Sequence, residues 1–271
     1  MAARQGKGAG GWAVRFTPWQ RLEHLVVMLL FTALVVTGLP QKFFQARWAD
    51  AVVLALGGIE RVRLVHRWAG ILFAAAAVLH LAIILWLVLV RHARPSMVPN
   101  RADARDAIGM LRYCVGLSDA HPTFDRYDYR QKFEYWGVIF GSLVMVVTGF
   151  ILYFPIAATR WLPGEIVPAA KVAHSNEALL AFLVIVIWHM YSAHFNPDVF
   201  PVDTSIFTGR ISLERLHHEH ALEYRRLFPG GDAAAGSVDV APGAPVPAPA
   251  EAHGETGLGG PRAFGPGGPA P

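Results

Sequence analysis

Four long stretches free of Asp, Glu, Lys and Arg dominate the chain, over residues 24–41, 68–90, 135–159 and 178–197. They are 18, 23, 25 and 20 residues long, and about 20 apolar helical residues cross a hydrocarbon core roughly 30 Å thick. Charged residues make up 16% of the chain, against about 25% in an ordinary soluble domain. The sequence therefore predicts an all-α integral membrane protein, built as a bundle of four transmembrane helices.

The remaining sequence divides the chain into four segments. Residues 1–12 are a Gly/Lys-rich lead that we expect to be flexible, and residues 13–195 hold the four-helix domain. Residues 196–229 are polar, with a short helix predicted after Ser212. Residues 230–271 are rich in Gly, Pro and Ala and predict a disordered tail, because they bury too little apolar surface.

The first apolar run is not expected to be a signal peptide, because no small-residue cleavage site follows it. It ends instead in Thr37-Gly38-Leu39-Pro40, where Gly38 and Pro40 predict the end of the helix. A second Thr-Gly pair, Thr148-Gly149, lies in the third run and hints at a duplicated helix pair.

Basic residues indicate the orientation of the bundle. With the N-terminus in the cytoplasm, 17 Lys and Arg residues lie on the inside and 7 on the outside, so the positive-inside rule places both termini in the cytoplasm. These residues flank apolar runs and form no basic patch on a soluble module, so no nucleic-acid binding is expected. The one cysteine, Cys114, excludes a disulfide within the chain, a Cys-ligated iron–sulfur cluster and a c-type haem attachment.

Histidines inside the predicted spans are the main functional signal, because ionisable groups in a membrane are costly. His66 and His80 are 14 residues apart, which places them on one helix face about 21 Å apart along the axis. His174 and His189 are 15 apart, or about 22 Å, with directions that differ by about 60°. His24 lies at the depth of His80 and His189, so the histidines form two matched levels.

Two stacked levels of facing imidazoles suit two b-type haems, one near each membrane surface. Arg67 near the outer level and Arg21 near the inner level are candidates to pair haem propionates. His80 and His194 leave open a third haem. The alternative is a haem-free membrane scaffold or a proton-relay or transport protein, although transporters usually have more helices and a midplane site.

Two further polar clusters have ordinary structural interpretations. Asp125, Asp128 and Glu134 lie near the start of the third span, where they can exchange protons with a ligand or form a salt-bridged helix start. Histidines also cluster after Ser212, at positions 217, 218 and 220. We interpret that cluster as an exposed helix rather than a metal site, since adjacent helical residues point in different directions.

Several motifs in order resemble a known family over roughly residues 13–228. They are Arg15-Phe16-Thr17, Gln20-Arg21 with His24, Thr37-Gly38, Arg63-Leu64-Val65-His66, Tyr129-Arg130-Gln131-Lys132, Val147-Thr148-Gly149 and His189-Met190-Tyr191. The series resembles the membrane cytochrome b subunit of formate dehydrogenase, the gamma-type di-haem anchor. Related anchors serve hydrogenases and thiosulfate reductases.

The resemblance implies specific ligands for two haem b groups. His66 and His174 would hold the outer haem, and His24 and His189 the inner haem, with His80 left as a competitor of His24. A quinone would bind beside the inner haem near the start of the third span. The residues at that position are Asp128, Gln131 and Lys132.

The resemblance also implies a function and its partners. The chain would transfer electrons across a bacterial inner membrane, between a membrane quinone and an iron–sulfur or multihaem cytochrome subunit on the periplasmic side. Such a subunit carries no substrate-converting centre of its own, so substrate chemistry would belong to partners.

Overall fold

A computed structural model describes residues 11–197 and 199–229. Most of the predicted flexible lead and the whole predicted tail lie outside these residues. The elements in chain order are β1 (Trp12–Val14), α1 (Pro18–Lys42), α2 (Arg47–Ala55), α3 (Ile59–Leu89), α4 (Arg101–Cys114), α5 (Tyr129–Tyr153), α6 (Pro155–Ala158), α7 (Ile166–Leu183), α8 (Ser205–Thr208), β2 (Arg210–Ser212), α9 (Leu213–Glu219) and α10 (Ala221–Leu227). Beyond α7 the chain continues as π-helix over Val184–His189 and Tyr191–Phe195.

Within the described residues, four helices are long and apolar enough to cross a membrane, which confirms the predicted fold class. The spans are Pro18–Lys42, Ile59–Leu89, Tyr129–Tyr153 and Ile166–Phe195. In their most apolar windows, 0–6% of the residues are buried inside the protein. Their apolar side chains therefore face outward, as expected for a small bundle whose surroundings are lipid rather than water.

The predicted helix stop at Gly38 and Pro40 is wrong, because α1 continues to Lys42. Pro40 removes one backbone donor from the helix. The helix nevertheless continues past Pro40: the side chain of Gln41 donates to the carbonyl of Thr37 at 2.9 Å, and the backbone N–H of Phe43 donates to the carbonyl of Leu39 at 2.9 Å. Proline is tolerated in membrane helices when neighbouring groups support the backbone around it.

The four spans form two helical hairpins. α1 packs mainly on α3, and α5 packs mainly on α7. Contacts between the hairpins are fewer and run along two lines, where α1 meets α7 and where α3 meets α5. We call these lines the α1–α7 seam and the α3–α5 seam.

The two hairpins are an internal repeat, with an offset of 111 residues between their first helices. Identical residues recur at Arg15/Arg126, Gln20/Gln131, Glu23/Glu134, Thr37/Thr148 and Gly38/Gly149. The helix starts repeat as well: Thr17 and Asp128 are N-caps of α1 and α5, each in a capping box with the glutamine three residues later. The Thr-Gly hint in the sequence thus belongs to a longer repeat.

A small cap covers one end of the bundle, and we call this the capped end. β1 pairs antiparallel with β2, with Ala13 opposite Ile211. Both residues belong to a buried apolar cluster that also contains Leu213, Leu216, Tyr224 and Phe228. The chain before the first span and the chain after the fourth therefore lie on the same side of the bundle.

The repeated arginines meet beneath the cap. Arg15 donates to the backbone carbonyl of Arg126, and Arg126 donates to that of Arg15, each at 2.5 Å. Glu223 of α10 accepts from both guanidinium groups, at 2.8 Å from Arg15 and 2.6 Å from Arg126. Its side chain is 5% exposed. The reciprocal bonds place an approximate twofold axis between the arginines, with Glu223 bridging both halves.

Candidate functional site

The structure brings four of the predicted histidines together as two pairs. The ring centres of His66 on α3 and His174 on α7 are 6.3 Å apart. Those of His24 on α1 and His189 in the fourth span are 6.2 Å apart. His24 lies one and a half turns into α1, near the capped end, and His66 lies near the start of α3 at the opposite end. The pairs thus occupy two depths in the bundle.

The spacing of the rings fits one metal ion between each pair. An imidazole nitrogen binds a metal at about 2 Å. Each coordinating nitrogen lies about 1.1 Å from its ring centre, so two opposed imidazoles on one ion have centres about 6.2 Å apart. Both pairs match this separation. The donor set of two neutral imidazoles is that of a b-type haem.

Threonines orient both rings of the pair His66–His174, which we call the outer pair. Nδ1 of His66 lies 2.9 Å from Oγ1 of Thr37, and Nδ1 of His174 lies 2.9 Å from Oγ1 of Thr148. Each hydroxyl donates to the backbone carbonyl four residues earlier, at 2.6 Å, so it accepts from Nδ1–H. That tautomer leaves Nε2 as a free acceptor, the arrangement that metal-ligating histidines use.

Two glycines make space for the same rings. A Cβ on Gly38 would lie 3.0 Å from Cε1 of His66, and one on Gly149 would lie 3.4 Å from Cε1 of His174. The first distance is shorter than normal carbon packing, about 3.5–4.0 Å. The Thr-Gly pairs therefore have a shared purpose, since threonine holds the ring and glycine admits it.

The pair His24–His189, which we call the inner pair, has its own polar partners near the capped end. Nδ1 of His189 lies 3.2 Å from a carboxylate oxygen of Glu134. Arg21 donates to the backbone carbonyl of Phe207, but its Nε is buried without a hydrogen-bond partner among the described residues. A cavity of about 310 Å³ lies beside Arg21 and His24. An orphaned cation next to the ring pair fits a haem propionate.

Arg67, the residue predicted to pair a haem propionate at the outer level, has a different environment from Arg21. Arg67 is exposed, and its guanidinium lies 5.3 Å from the ring centre of Tyr153 on α5. It is one residue beyond His66 at the start of the second span. The side chain is therefore available to an anionic group at the outer level without leaving a buried charge unpaired.

His80 is not part of either pair. Its Nδ1 lies 3.3 Å from a carboxylate oxygen of Glu23, and its Nε2 lies 3.0 Å from the hydroxyl of Tyr135. Both ring nitrogens are thus engaged, whereas the ring that faces His189 belongs to His24. The geometry favours His24 over His80 for the inner pair, and the assignment stays a prediction.

The fourth span reaches the same pairing with one extra residue. His174 and His189 are 15 apart, whereas His66 and His80 are 14 apart. Val184–His189 is π-helical, and a π turn holds one residue more than an α turn because its hydrogen bonds run i→i+5. The π segment absorbs the extra residue and keeps His189 at the level of His24.

The predicted quinone residues serve the start of α5. Asp128 accepts from the backbone N–H of Gln131 at 2.8 Å and pairs with Arg130 at 2.7 Å. Lys132 is 6% exposed and donates to both carboxylate oxygens of Asp103, at 2.8 and 2.9 Å. These contacts explain the burial of Asp128 and Lys132, and the quinone role of all three residues stays a prediction.

The histidine cluster after Ser212 differs from the predicted exposed helix at one position. His217 and His218 are exposed, but His220 is buried at 5% exposure. Its Nδ1–H donates to the carbonyl of Asp125 at 2.8 Å, so its Nε2 accepts from Arg15 at 3.1 Å. Burial, together with the charge of Arg15, lowers the pKa of His220 to about 4. Among the described residues, no group of three or more His, Cys, Asp or Glu could hold a metal ion.

Comparisons with known proteins identify the family of this chain. Residues 15–208 match the family model described as prokaryotic cytochrome b561. The chain belongs to the prokaryotic cytochrome b561 family. This family carries haem b in a membrane helical bundle, which confirms the predicted cofactor type and argues against the haem-free alternative. The number of haems and their ligands stay predictions.

Three of the curated relatives are named as cytochrome b556 subunits of formate dehydrogenase. The formate dehydrogenase cytochrome b556 subunit of Haemophilus influenzae is 26% identical over 180 residues, covering 64% of this chain and 67% of the relative. The cytochrome b556(fdo) subunit of Escherichia coli K12 formate dehydrogenase is 24% identical, covering 66% and 78%. The nitrate-inducible cytochrome b556(Fdn) subunit of the same strain is 23% identical, covering 76% and 88%.

Five residues orient imidazole rings in ways that the sequence motifs did not indicate, namely Glu23, Glu134, Thr37, Thr148 and Tyr135. The 111-residue repeat was the signal that marks them, because four of these five are identical between the halves. The fifth, Tyr135, occupies the position that corresponds to His24.

Proposed function

We propose that this cytochrome is a di-haem electron-transfer subunit of a respiratory complex related to formate dehydrogenase. The observation that carries the proposal is the two imidazole pairs, with ring centres 6.2 and 6.3 Å apart at two depths. The three relatives described above, named as formate dehydrogenase subunits, support the choice of complex.

His66 and His174 would hold the outer haem, and His24 and His189 the inner haem. Bound haem supplies a one-electron carrier at each level. Thr37, Thr148 and Glu134 orient three of the four imidazoles, those of His66, His174 and His189. Arg21 and Arg67 would offset the charge of the propionates.

The membrane orientation follows from the basic residues. With the capped end in the cytoplasm of a bacterial cell, the outer pair faces the periplasm across the inner membrane. An iron–sulfur or multihaem cytochrome subunit would exchange electrons there, and a membrane quinone would exchange them with the inner haem. Substrate chemistry would lie in partner subunits.

A haem count tests the proposal directly. The purified protein should give a reduced-minus-oxidised spectrum of b type and two haems per chain in a pyridine haemochrome assay. His66→Ala and His24→Ala should each lose one haem, because each removes one axial ligand. His194→Ala is the matched control and should keep both.

Other counts would contradict parts of the proposal. No haem would overturn it and restore the haem-free scaffold or proton-relay alternative. Three haems would add a site at His80 or His194. If His80→Ala loses a haem while His24→Ala keeps two, the inner pair is wrongly assigned.

A further inference from the structure

Glu23, His80 and Tyr135 form a connected polar cluster that the two imidazole pairs leave unused. Glu23 lies on α1, His80 on α3 and Tyr135 on α5, and the two contacts of His80 link them at 3.3 and 3.0 Å. All three are half-buried inside the membrane-spanning helices of the structure. Polar and ionisable groups at such positions are costly and usually mark a site.

The internal repeat relates this cluster to the inner histidine pair. The 111-residue offset maps His24 onto Tyr135 and Glu23 onto Glu134. His80 and His189 occupy corresponding positions, since each follows the repeated outer histidine by 14 or 15 residues and contacts the repeated glutamate. The His80–Tyr135 pair is therefore the twofold counterpart of His189–His24, in the α3–α5 seam instead of the α1–α7 seam.

The counterpart has changed its chemistry from metal binding to hydrogen bonding. Two donors on opposite sides of one metal ion, as proposed for the inner pair, lie about 4 Å apart, since each bond is about 2 Å. Nε2 of His80 and the hydroxyl of Tyr135 are only 3.0 Å apart and bonded to each other. A ligand of His80 and Tyr135 must instead be recognised through hydrogen bonds to the imidazole nitrogen and the phenol hydroxyl.

We propose that the head group of a membrane quinone binds to His80 and Tyr135 in the α3–α5 seam. Nδ1–H of His80 faces the carboxylate of Glu23, so Nε2 is an acceptor and Tyr135 the donor. By turning away from Nε2, the Tyr135 hydroxyl can donate to a quinone carbonyl. The freed Nε2 can then accept from the hydroxyl of a quinol, so the pair recognises both redox forms.

Location and access support a lipid-soluble ligand. The seam joins two hairpins that contact each other sparsely, and the His80 side chain is 28% exposed. The cluster also lies at the level of the inner pair, because Glu23 precedes His24 and Tyr135 follows Glu134. By contrast, Asp128 and Lys132 at the start of α5 are 6% exposed and already paired.

The redox step balances with the two haems of the proposed function, on which this inference rests. One quinol loses two electrons and two protons and becomes quinone. Two bound ferric haems would accept one electron each, and the two protons would pass to water at the capped end. The reverse direction consumes the same electrons and protons, so direction does not alter the site.

The test uses the full-length haem-loaded protein in detergent. Binding of decyl-benzoquinone is measured by calorimetry, and the rate of haem reduction by decyl-benzoquinol is followed by absorbance. Tyr135→Phe removes one hydroxyl and should raise Kd about three- to tenfold, the effect of one lost hydrogen bond. His80→Leu should raise Kd by at least as much. Tyr113→Phe, on α4, is the matched control and should leave Kd unchanged.

Each other outcome separates this site from the proposed function. Normal Kd in both variants, with binding lost in Lys132→Met, would place the quinone at the start of α5 and overturn the inference. Loss of a haem in His80→Leu would make His80 a ligand and also overturn it. If two haems are present and reducible by dithionite but even the wild type binds no quinone, both this site and the quinone part of the proposed function fail, while haem binding stands.

Discussion

Replacing Glu223 should detach the cap from the bundle. Its carboxylate bridges Arg15 and Arg126, one guanidinium from each half of the repeat. The side chains of Glu223 and Arg15 are 5% and 4% exposed, and that of Arg126 is 19% exposed. Burial lowers the pKa of Arg15, although Glu223 opposes this effect. Glu223→Gln keeps the shape but leaves the buried cation of Arg15 and the half-buried cation of Arg126 without their counter-ion.

The magnitude follows from the burial of the cluster. Removing one partner of a buried ion pair costs about 3–5 kcal/mol, since the remaining charge is left uncompensated. Each 1.4 kcal/mol is a factor of ten in an equilibrium constant, so the cap should open at least about a hundredfold more often. The matched control is Glu60→Gln, which breaks the exposed pair with Arg63, where the side chains are 82% and 50% exposed. An exposed pair contributes about 0–1 kcal/mol.

Amide hydrogen exchange measures this opening locally. In Glu223→Gln, exchange in β1 and β2 should accelerate by at least about a hundredfold, while exchange within α3 stays as in the wild type. Less than a tenfold change in the strands would refute the reasoning, because the carboxylate would then contribute no more than a surface charge. Equal acceleration in Glu60→Gln would refute it as well.

Three further predictions concern pH and the ring-orienting residues. The pKa of His220 is about 4 in the folded protein, against about 6.5 in the unfolded chain. Cap stability should therefore be full above pH 6.5 and fall by about 2–3 kcal/mol towards pH 4. Hydrogen exchange should show this pH dependence, and His220→Gln should abolish it. Gly38→Ala should displace His66 and reduce haem content, whereas Gly149→Ala should have a smaller effect, because the added Cβ is 3.0 Å from its ring in one case and 3.4 Å in the other. Thr37→Val removes the acceptor of His66 Nδ1 and should weaken haem retention about ten- to a hundredfold, measured by haem transfer to apomyoglobin.

The spans could be predicted from composition, but their limits could not. Counting charge-free residues started the first span at His24, whereas α1 begins at Pro18. The difference arises because Arg21 and Glu23 belong to the helix. Arg21 donates to the backbone carbonyl of Phe207, and the carboxylate of Glu23 lies within hydrogen-bond distance of His80. Polar residues at a helix end are compatible with a membrane span when the protein satisfies them, and composition alone does not show those partners.

Helical spacing predicted the depth of the candidate site but not its pairing, which only the family resemblance predicted. Helical spacing placed His24 and His80 at one level, yet it could not show which ring faces His189. That choice depends on which helices are neighbours across the seams. The burial of His220 was likewise hidden, because its partners Arg15 and Asp125 are far away in the sequence.

Because the proposed haem ligands are divided between the two hairpins, haem binding would help to join the hairpins when the protein is assembled. Each proposed haem takes one axial histidine from the first hairpin and one from the second, where direct helix contacts are fewest. A ligand that binds only the joined form stabilises it by mass action. Haem supply would therefore act as an assembly checkpoint, and haem-starved cells should clear the chain through proteolysis of separated hairpins before it reaches a partner subunit.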